Sequence, residues 1–284
     1  MSAGRRAVPA AILALAASCG GAPPPAAVTV KGKRIEVSVV ATEKERRSAP
    51  LLFKAAGEDR GHLISWPRER FFKLEPEHAQ AAFDVAALDR SGKILEILSF
   101  APLDAEGLVP RAEAAHALFL APGLLRKLGA GPGDVVALPP EAASARELPV
   151  VRIGDSSAFV ELALTEADRQ HGLMFRPRLS ADDGMLFAYS EEAPRGFWMK
   201  NTLIPLDIAY FRQDGTLVNV NETPTVPDPR AGPWPSSPSD GPARFVLEMN
   251  RGWFRRRGLT DESGRPRPGL RAEFPPEAVR GFFP

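Results

Sequence analysis

The sequence predicts a mostly β protein built from two tandem β-sandwich- or barrel-like domains with short helices, arising by internal duplication. Three observations carry that expectation. Twenty-nine prolines and 24 glycines run along the 284 residues, which favours short strands and turns over long helices. Ile35, Val37 and Val39 alternate along the chain, as do Val160, Leu162 and Leu164, the period-two pattern of a half-buried strand. The chain also matches itself. Thr42-Glu43 aligns with Thr165-Glu166, Gly61-x-Leu63 with Gly184-x-Leu186, Phe83–Ala86 with Leu206–Ala209 and Gly92 with Gly215, all at an offset of 123. Further on, Pro132-Gly133 and Pro139–Ala142 match Pro268-Gly269 and Pro275–Ala278 at an offset of 136, so the second copy carries extra residues in between.

The chain opens with Arg5 and Arg6, an apolar run from Ala7 to Ala17, and Leu15-Ala-Ala-Ser-Cys19. A short basic region, an apolar stretch and small residues before a break make a secretory signal over residues 1–19. The run is shorter than the ~20 residues a membrane-spanning helix needs. Its end has the form of a lipoprotein processing site, with Cys19 as the lipidated first residue of the mature protein; a plain secretory signal is the alternative. Cys19 is the sole cysteine, so no disulfide forms within the chain. The expected location is the bacterial cell envelope, lipid-anchored and facing the periplasm or the cell surface. Residues 20–29 read as a proline-rich spacer, 30–142 as the first copy, 143–150 as a linker and 151–284 as the second copy. A formal net charge of +1 argues against a nucleic-acid partner, which demands a basic face.

Within each copy a strand runs into a threonine followed by acidic residues. Thr42-Glu-Lys-Glu45 fits a capping box and Thr165-Glu-Ala-Asp168 resembles one, so a short helix is expected at each. Ile208–Phe211 and Thr216–Val220 flank Gln213-Asp-Gly215, a tight hairpin turn. Phe245–Leu247 reads as an interior strand, followed by a short helix around 252–257. Residues 221–241 hold six prolines and Trp234 without periodicity, which leaves either an inert excursion or a flap over a neighbouring site.

The most unusual stretch is Gly196-Phe-Trp-Met-Lys-Asn-Thr-Leu-Ile-Pro-Leu-Asp207, because Lys200, Asn201 and Asp207 each need a partner once dehydrated among such apolar neighbours. Together with Thr165–Arg176, Gly184-Met-Leu-Phe187 and Val246-Leu-Glu248, it resembles domain-of-unknown-function family 192, small β-rich domains of bacterial envelopes. The resemblance covers 151–284 strongly and 30–142 only degenerately. It implies a β fold and an envelope location, but no reaction.

The second copy places Asp168, Arg169, Arg176, Lys200, Asn201, Asp207 and Glu248 at the family's motif positions. If 197–201 is extended, Trp198 and Lys200 share one face and Phe197, Met199 and Asn201 the other. Trp198 beside Lys200 makes a wall with an apolar plane and a positive tip, suited to an anionic or sugar-like ligand. The candidate ligand site is Trp198, Lys200, Asn201 and Glu248, supported by Asp207, Arg169 and Arg176. The structural alternative pairs Lys200 or an arginine with Asp207 or Glu248. An enzymatic alternative uses Asp207 or Glu248 as acid-base and Lys200 as electrostatic stabiliser on an envelope component. The first copy keeps Asp84 where the second has Asp207, yet reads Leu74-Glu-Pro-Glu-His78 where the second reads Phe197–Asn201. The shared aspartate is therefore expected to be structural, and the lysine and tryptophan functional. There is no phosphate-binding loop and no nucleophile elbow, and His62, His78, His116 and His171 lack metal-ligand spacing, so neither metal nor cofactor is implied. The arginines at 251, 255, 256, 257, 265, 267 and 271 form either a solvated face or a contact to anionic lipid.

Overall fold

The computed structural model describes residues 25–41, 57–73, 81–100, 109–144, 148–226, 228, 231–234 and 236–280. The signal segment with Cys19, the Thr42 capping box and the 74–78 stretch lie outside them. The fold is mostly β, as expected. β1 (Ala27–Val30), β2 (Lys33–Val40), β3 (Arg60–Arg70), β4 (Phe83–Leu88), β5 (Ile94–Phe100) and β6 (Ala114–Leu120) form one sheet in the order β1-β2-β3-β6-β4-β5. A one-turn helix, α1 (Leu124–Lys127), follows β6.

The second half holds β7 (Val150–Ile153), β8 (Ser156–Ala163), α2 (Glu166–His171), β9 (Asp183–Ala193), β10 (Gly196–Trp198), β11 (Leu206–Phe211), β12 (Leu217–Thr223), β13 (Ser236–Pro238), β14 (Ala243–Asn250), α3 (Trp253–Arg256), β15 (Ala272–Glu273) and α4 (Pro276–Arg280). Its main sheet runs β12-β11-β14-β9-β8-β7-β15, and β10 pairs with β13 in a separate ribbon. Read from β7 to β12, this repeats the strand order of the first sheet.

The registers agree as well. Val37 faces Gly61 across the parallel β2–β3 pair, and Val160 faces Gly184 across the parallel β8–β9 pair. Asp84 faces Ser99, and Asp207 faces Glu222. A Cβ at Gly61 would stand 2.6 Å from the Phe119 carbonyl oxygen, and one at Gly184 would stand 2.5 Å from that of Glu248. Only glycine permits either approach.

The sequence-level reading of the elements holds in detail where period or turn chemistry is strong. Thr165 caps α2 in a full capping box with Asp168. Gly215 takes φ 83° in the turn between β11 and β12, where its amide donates to the Arg212 carbonyl at 3.1 Å. β4, β6 and β11 are buried at every position, and apart from Asp84, His116 and Asp207 they read as apolar runs, which is what a strand covered on both faces produces.

Three boundaries differ from expectation. Residues 27–30 are strand β1 paired to β2, with Val28 in the first core, so the spacer gives way to folded chain before residue 30. Leu148, placed in the linker, is buried against Phe83 and Phe119 of the first domain, whose core it completes. Residues 221–241 are not all loop: Asn221–Thr223 finish β12, and Ser236–Pro238 form β13.

The two domains meet through charge. Arg70, 2% exposed, places Nη2 2.5 Å from Glu161 Oε1 and Nε 3.2 Å from Asp183 Oδ2. Arg68 pairs with Asp183 too and lies 3.8 Å from the centroid of the Phe159 ring. The Phe71 amide donates to Ser180 Oγ at 3.1 Å.

Candidate functional site

One face of the second sheet is covered by the β10–β13 ribbon. Phe197 points inward, its ring edge-to-face with Phe187 at 4.8 Å and with Tyr210 at 6.1 Å, and the Tyr210 hydroxyl donates to the Ser237 carbonyl. Met199 is fully buried, whereas Trp198 is 52% exposed. The predicted alternation therefore holds from Phe197 to Lys200. It fails at Asn201, because the chain turns there with φ 53° and the asparagine leaves the expected face. Its carbonyl accepts the Phe175 amide at 2.8 Å, and Phe175 also sits at positive φ, 59°. Residues 172–176 and 199–204 are tied by this bond into a strap beside the ribbon.

On the outer side a cluster forms that the sequence half-predicted. Trp198 and Trp234 pack edge-to-face with centroids 5.7 Å apart. The Lys200 ammonium stands 5.4 Å from the Trp198 ring centroid and 5.3 Å from that of Trp234. Among the described residues no carboxylate forms an ion pair with Lys200. The internal pairing of Lys200 with Asp207 or Glu248 is thereby corrected. Trp234 was missed as a site residue. Its signal was present, an indole within a proline-rich segment, but nothing in the sequence said where that segment folds back.

The remaining candidates have other employment. Asp207 lies on the opposite face of β11, where its Oδ1 accepts the Gly252 amide at 2.7 Å and its Oδ2 the Phe254 amide at 3.1 Å, so it anchors the start of α3. Burial pushes its pKa up and the two amides pull it back. Asp84 accepts the Gly123 amide at 2.7 Å in the same way, and Gly123 and Gly252 both take φ 77°. Arg169 Nη1 donates to the Leu164 and Ala188 carbonyls at 2.6 and 3.2 Å, which ties α2 to the sheet. Arg176 holds Glu161 with two bonds of 2.8 and 2.6 Å. Burial alone would raise the Glu161 pKa, but Arg176 and Arg70 together hold it at about 2. His171 faces Lys73 of the first domain at 3.4 Å. Several of the C-terminal arginines are paired: Arg251 and Arg255 with Glu222, Arg257 with Asp182 and Arg271 with Asp214.

Glu248 is different. It sits on β14 between Met185 of β9 and Ile208 of β11, 6% exposed, and its Oε2 has no hydrogen-bond partner. Burial raises its pKa to about 8 against the pull of Arg176, so the group is mostly protonated at neutral pH. The predicted site is thus divided into two parts. Trp198 and Lys200 lie outside with Trp234, while Glu248 lies beneath the cover, with Asn201 in the strap beside it.

Residues 150–264 match the family described as Uncharacterized ACR, DUF192. Through its second domain the chain belongs to the DUF192 family. A protein from Sinorhizobium meliloti 1021, described as a candidate transcription regulator, is 33% identical, with 44% of this chain and 92% of that one covered and a TM-score of 0.38. A protein of unknown function from Novosphingobium aromaticivorans DSM 12444 is also 33% identical, with 45% of this chain and 85% of that one covered and a TM-score of 0.39. No curated protein matches the chain. The first domain lies outside the DUF192 match, and so do α4 and β15.

Proposed function

We propose that this protein is a bacterial envelope lipoprotein, anchored at Cys19, whose DUF192 domain binds an anionic glycan through Trp198, Trp234 and Lys200. The first domain is a degenerate duplicate that serves as scaffold. The carrying observation is the exposed Trp198 beside Trp234 with an ammonium over both rings and, among the described residues, no carboxylate paired with it. Indole faces stack on the C–H faces of sugar rings, and a lysine held by two rings keeps its remaining donors for a carboxylate or sulfate. The proline-rich segment supplies one of the two indoles, which favours the flap reading over an inert loop.

Titration calorimetry with a galacturonic acid trimer tests the binding face. Trp198→Ala and Lys200→Ala should each weaken binding tenfold or more, a loss of about 1.4 kcal/mol, and the lysine variant should lose most of its salt dependence. Wild-type affinity in both variants would refute the assignment. The anchor is tested separately: Cys19→Ala should release the protein from membranes or stall its processing, and normal cleavage with unchanged membrane fractionation would refute it.

A further inference from the structure

The two sheets place an acid and an aromatic ring at the same position. Glu248 faces Met185 on one side and Ile208 on the other. Phe119, in the first sheet, faces His62 and Val85, the residues that stand at the same registers. There it packs edge-to-face on Phe83 with centroids 6.0 Å apart. The architecture therefore fills this place with hydrocarbon and has no need of a carboxyl group.

What surrounds Glu248 leaves its outer oxygen free. Arg176, the cation whose charge partly offsets its burial, is bound to both oxygens of Glu161. The residue over Oε2 is Gly172, at which even a Cβ would stand 3.9 Å from that oxygen and 3.3 Å from the Phe187 ring. Gly172 itself brings no side chain over that oxygen. The cover itself is the strap, closed through the Phe175 amide and the Asn201 carbonyl, two non-glycine residues at positive φ. Such backbone is strained, most of all at Phe175, and clusters where segments open or clamp. Phe187 and Phe197, in edge contact at 4.8 Å, lead from this oxygen to Trp198 on the outer face.

A buried, uncharged carboxyl with one oxygen unpartnered is complementary to an uncharged group that accepts its O–H. The carbonyl of a secondary amide is such an acceptor, strong and without charge. We infer that Glu248 is the floor of a subsite for the acetamido group of an N-acetylated sugar, reached when the 172–176/199–204 strap opens. This rests on the glycan reading above and adds to it the substituent that the glycan carries beside its negative charge.

Titration of the full-length chain with chitotriose and with cellotriose isolates the amide, because the two trisaccharides differ in acetamido against hydroxyl. Wild type should prefer chitotriose by about tenfold or more, the ratio set by about 1.4 kcal/mol. Glu248→Gln keeps a donor at the same place and should keep the preference. Glu248→Leu, close in volume to the acid and apolar like Phe119, should bring the two affinities within about twofold of each other, with a thermal melt no lower than wild type. Trp198→Ala should weaken both sugars in parallel and leave their ratio intact. Equal binding of both sugars by wild type, or a preference that survives Glu248→Leu, overturns the subsite. So does binding of the acidic trimer with neither neutral one. Failure of every saccharide overturns the glycan reading as well. Triglycine carries the amide without the sugar, and tighter binding of triglycine than of chitotriose would overturn the acetamido assignment.

Discussion

Replacing Glu248 by glutamine removes a titrating group while keeping its shape, and the consequence for stability can be worked from its surroundings. Its pKa is raised from the ordinary 4.5 to about 8 by burial, only partly offset by Arg176. The folded protein therefore holds a proton that the unfolded chain releases above pH 4.5. Stability is complete below that pH and falls as pH rises toward 8, because the native state binds more protons over that interval. At about 1.4 kcal/mol for each pH unit across which the extra proton is held, the loss comes to about 5 kcal/mol. Glu248→Gln has no such proton to lose. Urea unfolding of wild type and variant at pH 4.5, 6, 7.5 and 9, read by the fluorescence of the buried Trp253, gives the difference directly. The variant should gain on wild type steadily from pH 4.5 to pH 8 and level off beyond it. Parallel stability curves across the range would mean that Glu248 ionises freely in the fold, and the buried-acid argument would fall with them.

Glu161 should behave in the opposite sense. With its pKa held at about 2 by Arg176 and Arg70, its contribution is present above pH 4.5 and is lost as pH falls toward 2, a change of about 3 kcal/mol. Acid melts of Glu161→Gln should lack that slope, and an unchanged acid limb would count against the ionic junction between the domains. Asp207→Ala leaves the Gly252 and Phe254 amides without their acceptor, at about 1–3 kcal/mol each. Lys200→Ala, which breaks no ion pair among the described residues, should stay within ~0.5 kcal/mol of wild type. Thermal melts of the two variants settle the contrast, and an early melt of Lys200→Ala would return that residue to a structural role.

Local chemistry was legible in the sequence and long-range folding was not. The capping box at Thr165 and the Asp-Gly turn before β12 rest on short-range rules, and each has its structural counterpart. Asp207 was read as structural because Asp84 stands at the repeated offset of 123, and both accept the amide of a glycine that opens a short helix. The division of the predicted site could not be read. Phe197–Lys200 alternates as a strand would, but the positive φ of Asn201 arises from a bond to Phe175, more than twenty residues away in sequence. The partnership of Trp234 with Trp198 likewise depends on β13 pairing with β10, and three residues of strand between prolines carry almost no periodic signal. Arg176 looked like a site residue in the motif, yet its partner Glu161 sits on an alternating strand whose inward glutamate reads as a surface position.

The pair of domains also separates what the fold requires from what the DUF192 domain adds. Where backbone geometry is shared and the residue is retained, the cause is mechanical. Gly61 and Gly184 admit a neighbouring carbonyl, and Asp84 and Asp207 close a helix start. Where geometry is shared and chemistry diverges, the sheet is indifferent and another demand has set the residue. Phe119 shows that hydrocarbon satisfies the place Glu248 occupies, at less cost than a carboxyl with an unpartnered oxygen. In the reading proposed above, that cost is borne for the ligand, since the neighbouring domain avoids it.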